Sequence, residues 1–316
     1  MSRIASATGA ALIALSPINV WASSPPTEAA VTAFSQGSAP PTGEASAQTP
    51  NLQRSGKITY NLPPVSNKSI WANEQMSTIV GTKRLSEPSL RINGITYLPL
   101  RAVASAIGAR VSYDSSTRTM TVSGWRLTFS ATDGNYTSYA NGRPLFAFSP
   151  NVIMSNGRMY VPASVIGRAF GMTADTEGSE VGLKGQYNPI GAPYYTEDEV
   201  FWLARIITAE AGGESLLGQI AVGDVILNRV RSAAFPNTIY GVIFDRRYGV
   251  QFSPVANGTI YNTPTYTARL AAKICLEGTS LSDNAMYFHN PRTAHSHWIE
   301  QNRKYLYTIG GHDFYL

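Results

Sequence analysis

In a mostly apolar, small and helix-compatible run from Leu203 to Val242, two carboxylates, Glu210 and Glu214, stand where one helix ends and the next begins. Upstream, Thr196-x-x-Glu199 has the form of a capping box, in which hydroxyl and carboxylate each satisfy an orphan backbone donor at a helix start. Leu203, Ile206, Ile207 and Glu210 follow at helical spacing, so Glu210 shares or borders the apolar face, and Gly212-Gly213 predicts the stop. A carboxylate on a packed face is costly unless it is paired, protonated or put to use. Held protonated near neutral pH, it can give a proton to a leaving group, which is general acid chemistry. The plain alternative is a helix-terminal carboxylate that reaches water or meets an arginine such as Arg229. Glu214 has a simpler reading, a negative charge placed just before a second helix at the positive end of its macrodipole. Glu210 is therefore the first candidate acid and Glu214 the second.

The elements that carry these residues belong to a modular chain. At 316 residues and 43% hydrophobic, it can support two domains with ordinary cores. Residues 1–22 read as a signal peptide, with Arg3 as the positive end, a small-residue apolar stretch from Ala5 to Val20, and cleavage at Val20-Trp21-Ala22. Ser16-Pro17 interrupts that run, and no other stretch is apolar enough for a stable membrane span. Residues 23–55, rich in Pro, Ala, Ser, Thr and Gly, read as a disordered linker. Residues 186–193, with two prolines and a glycine, read as a second, short linker between regions 56–185 and 194–316. The single cysteine, Cys275, excludes an internal disulfide and reads as a small buried hydrophobe of an amphipathic helix. A net charge of +5 suits an anionic polymer as well as nucleic acid, and no basic-aromatic array supports the latter.

Region 56–185 contains a repeat. Asn93-Gly94-Ile95-Thr96-Tyr97-Leu98-Pro99 is echoed by Asn156-Gly157-Arg158-Met159-Tyr160-Val161-Pro162. Each copy predicts a turn at Asn-Gly, a short strand, a small-residue helix (Arg101 to Ile107, Ser164 to Phe170) ending at glycine, and a returning strand. Trp125, Tyr136 and Tyr139 read as core aromatics of this region, with sugar stacking as the alternative.

All four histidines, His289, His295, His297 and His312, fall at the C-terminal end. His295-x-His297 puts two imidazoles on one side of a strand, and His289 or His312 would complete a metal site. That defines a rival, a metal-dependent hydrolase. Against it, no HExxH or similar block occurs.

The blocks AEAGGE, GQIAVGDVILNRV and FPNTIYGVIF resemble the catalytic domain of the spore cortex-lytic and cell wall hydrolase family (SleB/CwlJ type). The similarity continues through Gln251-Phe252-Ser253-Pro254, Ala285 to Pro291, Trp298, and the closing Thr308-Ile309-Gly310-Gly311-His312-Asp313-Phe314-Tyr315. It covers residues 194–316. The resemblance puts the family's catalytic acid on Glu210; the family usually carries Arg where this chain has Gly212 or Gly213. Region 56–185, through about residues 75–185, resembles the copper amine oxidase N-terminal-like domain. Residues 23 to 288 contain no His, so a copper site there has no ligands, and the region reads as a wall-binding or spacer module.

The resemblance implies an α+β chain, a mainly helical lysozyme-like catalytic domain preceded by a small two-repeat α+β domain. It implies a secreted, wall- or spore-associated enzyme acting on the MurNAc-GlcNAc β-1,4 backbone of peptidoglycan, with anionic wall polymers as further partners. No cofactor and no metal ligand set are expected. A glycosidase normally adds a second carboxylate, whereas a lytic transglycosylase uses the muramic acid's own C6 hydroxyl and one Glu as acid and then base. Asp224, Asp245, Glu277, Asp283, Glu300 and Asp313 include no obvious second acid. The transglycosylase is therefore the leading expectation, with Glu214, Gln251, Ser253, Tyr287, Asn290 and Trp298 assigned to substrate binding. A wall amidase using the His cluster and a non-catalytic wall-binding protein are the alternatives.

Overall fold

The computed structural model describes residues 74–148, 152–294 and 297–316. The signal peptide, the long linker, residues 56–73 and His295 lie outside the described residues.

The first half is built from strands and two short helices. In chain order these are β1 (Glu74–Val80), β2 (Lys83–Arg84), β3 (Ser89–Ile92), β4 (Ile95–Pro99) and α1 (Leu100–Ala106). There follow β5 (Arg110–Asp114), β6 (Thr119–Gly124), β7 (Leu127–Thr132), β8 (Thr137–Ala140) and β9 (Arg143–Phe146). The half closes with β10 (Ile153–Ser155), β11 (Arg158–Pro162), α2 (Ala163–Phe170), β12 (Thr173–Glu177) and β13 (Glu180–Lys184). Strands β5 to β9 form a sequential antiparallel meander, and the others form a second sheet in the order β10-β11-β4-β3-β1-β13-β12 with β2 on β1.

The repeat is structural. Asn93-Gly94 and Asn156-Gly157 all adopt positive φ, the requirement of tight hairpin turns. The strands that follow them pair antiparallel, with Tyr97 against Pro162, Leu98 against Val161 and Pro99 against Tyr160. Each copy thus presents its Tyr to the other's Pro, a local two-fold arrangement centred on Leu98 and Val161. A third Asn-Gly turn, Asn141-Gly142, joins β8 to β9 and was not singled out in the sequence. Trp125 departs from the core reading: it is 62% exposed, whereas Tyr136 packs against the core of the second half.

The second half is mainly helical, with α3 (Glu197–Ala211), α4 (Leu216–Arg231), α5 (Ile239–Ile243), α6 (Ser253–Asn257), α7 (Tyr266–Leu276) and α8 (Trp298–Asn302). A small antiparallel sheet, β14 (Tyr287–His289), β15 (Tyr305–Ile309) and β16 (His312–Tyr315), closes it in the order β14-β16-β15. Thr196 caps α3 with the complete capping box. Helix α4 is buried continuously from Leu217 to Arg229, as befits the central helix of a bundle. A Cβ at Gly223 would lie 2.7 Å from Cys275 Sγ and 3.0 Å from Ile207 Cδ1, so glycine sets how closely α3, α4 and α7 approach. Burial raises the Cys275 thiol well above its ordinary value, which suits packing and not nucleophilic attack.

Segment 186–193 is tied along its length. The amides of Asn188 and Ile190 donate to Phe170 and Ala169 carbonyls, and Asn141 Nδ2 donates to Ile190 O. Beyond it, Arg143 grips Glu277 with two hydrogen bonds of 2.8 and 2.7 Å, and Arg168 adds a third of 2.7 Å. The Glu277 side chain is fully buried. Phe146 of β9 joins the helical core directly. Among the described residues no helix is long and apolar enough to cross a membrane.

Candidate active site

Glu210 is the penultimate residue of α3, on the side that carries the fully buried Leu203, Ile206 and Ile207. Burial pushes its carboxyl up from 4.5 to about 7, and the Arg229 guanidinium pulls weakly the other way. A substantial share of Glu210 is therefore protonated at neutral pH. No other carboxylate enters that balance.

Arg229, from α4, is 5% exposed and is the cation nearest in influence to Glu210. Its Nε donates to Met286 O at 2.8 Å, and its guanidinium lies 5.0, 5.2 and 5.3 Å from the ring centres of Phe235, Phe252 and Tyr287. Among the described residues, Nη1 is buried without a hydrogen-bond partner. Burial lowers its pKa to about 10, so it still carries its charge at neutral pH. The sequence reading placed Arg229 only as a passive ion-pair partner. The structure shows instead a caged charge that tunes Glu210 without forming a direct ion pair among the described residues.

Glu214 lies beside the first turn of α4 without capping it. Ser215, not Glu214, caps α4, with its hydroxyl accepting from the Gly218 amide. The Glu214 carboxylate accepts the Gly311 amide at 3.2 and 3.3 Å and lies 3.5 Å from His312 Nδ1. A Cβ on Gly310, at φ +57°, would fall 1.8 Å from Glu214 Oε2; one on Gly311 would meet Glu214 Oε1 at 2.9 Å and Asn290 Nδ2 at 3.0 Å. The Gly310-Gly311 turn is thus a seat for the Glu214 carboxylate and the Asn290 amide. Burial lowers the His312 pKa, which keeps that ring neutral at neutral pH.

The other sequence-assigned residues separate into two groups. Tyr287, on β14, accepts a 3.1 Å hydrogen bond from Arg303 Nη2, and Arg303 lies over the Tyr287 and Trp298 rings at 4.6 and 4.9 Å. Arg229, Tyr287, Arg303 and Trp298 therefore form an alternating series of guanidinium and ring. Ser253 opens α6, exposed, next to the Phe252 of the Arg229 cage, while Gln251 Nε2 donates to Gly249 O at 3.0 Å. Asn290, in the other group, folds an Asn-Pro turn: its Oδ1 accepts the Arg292 amide at 3.0 Å, and its carbonyl accepts those of Thr293 and Ala294.

Most remaining acids have structural partners. Asp224, raised to about 7 by burial, accepts the Leu281 amide at 2.7 Å and anchors that loop. Asp245 is held by Arg247 at 2.8 Å, Glu277 by two arginines, and Asp313 by the Thr308 hydroxyl. Glu300 lies 3.2 Å from His289 and 3.6 Å from His297. Among the described residues no group of three His, Cys, Asp or Glu side chains is placed to hold a metal.

Residues 213–315 match the family model described as Cell Wall Hydrolase, and residues 79–183 match that described as Copper amine oxidase N-terminal domain. The chain thus carries a cell wall hydrolase family domain behind a copper amine oxidase N-terminal-like domain. Within that class its relatives are of the spore cortex-lytic, SleB type. It is 44% identical over 131 residues to the spore cortex-lytic enzyme of Bacillus cereus, covering 42% of this chain and 48% of that one. To that of Halalkalibacterium halodurans it is 40% identical over 141 residues, covering 44% and 41%. It is also similar to the solved catalytic domain of the germination-specific lytic transglycosylase SleB from Bacillus anthracis, with 43% identity, coverage of 40% and 99%, and a TM-score of 0.36. The chain spans about half the length of the curated relatives it matches. The family match begins at Gly213, just past Glu210.

Proposed function

We propose that this chain is an extracytoplasmic enzyme that cleaves the MurNAc-GlcNAc β-1,4 backbone of peptidoglycan as a lytic transglycosylase. The observation that carries the reading is the raised pKa of Glu210, set by burial with no second carboxylate among its influences. In the proposed reaction Glu210 gives its proton to the glycosidic oxygen, and the bond to the anomeric carbon breaks. The C6 hydroxyl of the same muramic residue attacks that carbon, and the Glu210 carboxylate takes the hydroxyl proton. A 1,6-anhydro end forms, no water is consumed, and the acid is regenerated. Arg229, fixed and charged, stabilises the carboxylate present between the two proton transfers.

Gln251, Ser253, Tyr287 and Trp298 fit the role of sugar contacts around the Arg229 cage. Glu214 and Asn290 fit a positioning role, since both are seated in the Gly310-Gly311 turn. The test is clearance of a purified peptidoglycan suspension by wild type and Glu210→Gln. Loss of at least ~100-fold in the variant, with unchanged circular dichroism, is expected of a missing general acid. Retention of activity in the variant, or abolition of wild-type activity by a chelator, would overturn the assignment.

A further inference from the structure

The N-terminal module carries a groove of about 780 Å³ lined entirely by its own residues, a size typical of ligand clefts. Its rim brings together four cations from three elements: Lys83 and Arg84 of β2, Arg101 of α1 and Arg158 of β11. Arg84 is paired with Glu180 at 2.6 Å. Lys83, Arg101 and Arg158 are exposed, and none has a carboxylate partner among the described residues. Glu87 is the one acid in the lining, so the groove has a net positive field. Apolar groups also reach the surface there, with Met154 38% and Tyr113 42% exposed.

Unpaired cations around partly apolar walls suit a ligand that carries both carboxylates and small apolar groups. A polyol phosphate offers anionic charge, carried on phosphates, but not the apolar groups. We propose that the groove binds the acidic stem peptides of peptidoglycan, which carry both alanine methyls and free carboxylates. This rests on the substrate proposed above and names the part of it that the module holds. Arg158 belongs to the second repeat and Arg101 to the helix of the first, so the two-fold pairing of β4 with β11 builds the site. The Glu277 grip fixes it relative to Glu210, so peptide binding would present the attached glycan strand at a set distance from the acid.

The test uses the full chain and three probes: the free alanyl-glutamyl-diaminopimelate tripeptide, peptidoglycan stripped of its peptides by an amidase, and a polyol-phosphate wall polymer. Wild type is expected to bind the tripeptide, and Arg101→Glu/Arg158→Glu to bind it at least ~10-fold more weakly. Wild-type binding should also weaken as salt is raised, a readout that needs no variant. Equal affinity in the variant, equal retention on peptide-free glycan, or binding to the phosphate polymer alone would overturn the proposal. Wild-type cleavage of intact and peptide-free strands is followed in parallel. Absence of cleavage on both would sink the proposed reaction while leaving the tripeptide result to stand by itself.

Discussion

At the scale of the residue, the proposed chemistry depends on the cost of keeping Glu210 out of water. Its carboxyl has a folded pKa of about 7 against an ordinary 4.5. Below pH 4.5 both folded and unfolded chains hold the proton and there is no penalty. Between 4.5 and 7 the unfolded chain releases it first, so stability falls as pH rises through that window. Glu210→Gln should therefore stabilise the protein at pH 8 by about 2–3 kcal/mol, and by less than about 1 kcal/mol at pH 5, in denaturant titrations at the two pH values. Activity should decline above pH 7 as the acid is lost. Arg229 lowers the Glu210 pKa, so Arg229→Met should move that alkaline limb upward in a pH-rate profile. A purely structural Arg229 would reduce the rate without moving the limb. Glu210 was legible in the sequence because helical spacing puts it beside Leu203 and Ile207. The tuning by Arg229 was not, since its cage is assembled from Phe235, Phe252 and Tyr287, which meet only in the fold.

At the scale of the element, two turns do most of the positioning. The α3–α4 turn carries Glu214, and the β15–β16 turn carries the glycines that receive it. Gly310→Ala would place a methyl inside the Glu214 carboxylate at a φ that side chains rarely adopt, and should cost about 1–3 kcal/mol. A thermal melt measures that cost, and KM against kcat shows whether the displaced Glu214 serves binding or catalysis. An unchanged melting temperature would mean that Glu214 is not held there. Local signals announced the start of α3 and the hairpins of the repeat well: Thr196 with Glu199, and the Asn-Gly turns, have mechanisms that act over a few residues. The partner of Glu214 lies at Gly311, and a charge before a helix gives no hint of so distant a contact. Trp125 was misread for a related reason, because aromatic type alone does not say which face of a hairpin it occupies.

At the scale of the whole molecule, the short Pro- and Gly-containing segment before Thr196 marks a change of pattern, but composition does not show how firmly the flanking parts are joined. That depends on Arg143, placed by the third Asn-Gly turn, and Arg168, which both converge on Glu277. Removing one partner of a buried ion pair strands the other charges, so Glu277→Ala should cost about 3 kcal/mol or more. It should also split a single calorimetric unfolding transition into two; one undivided transition would show that the remaining contacts, Phe146 and Tyr136 against the helical core among them, suffice to couple the halves. The most direct test of the central claim is mass spectrometry of purified peptidoglycan digested by the protein, with Glu210→Gln alongside. Fragments ending in 1,6-anhydro-muramic acid, absent with the variant, are the predicted result. Reducing-end sugars would require water and a second carboxylate, and intact glycan with released peptides would place the chemistry elsewhere; either would contradict the account.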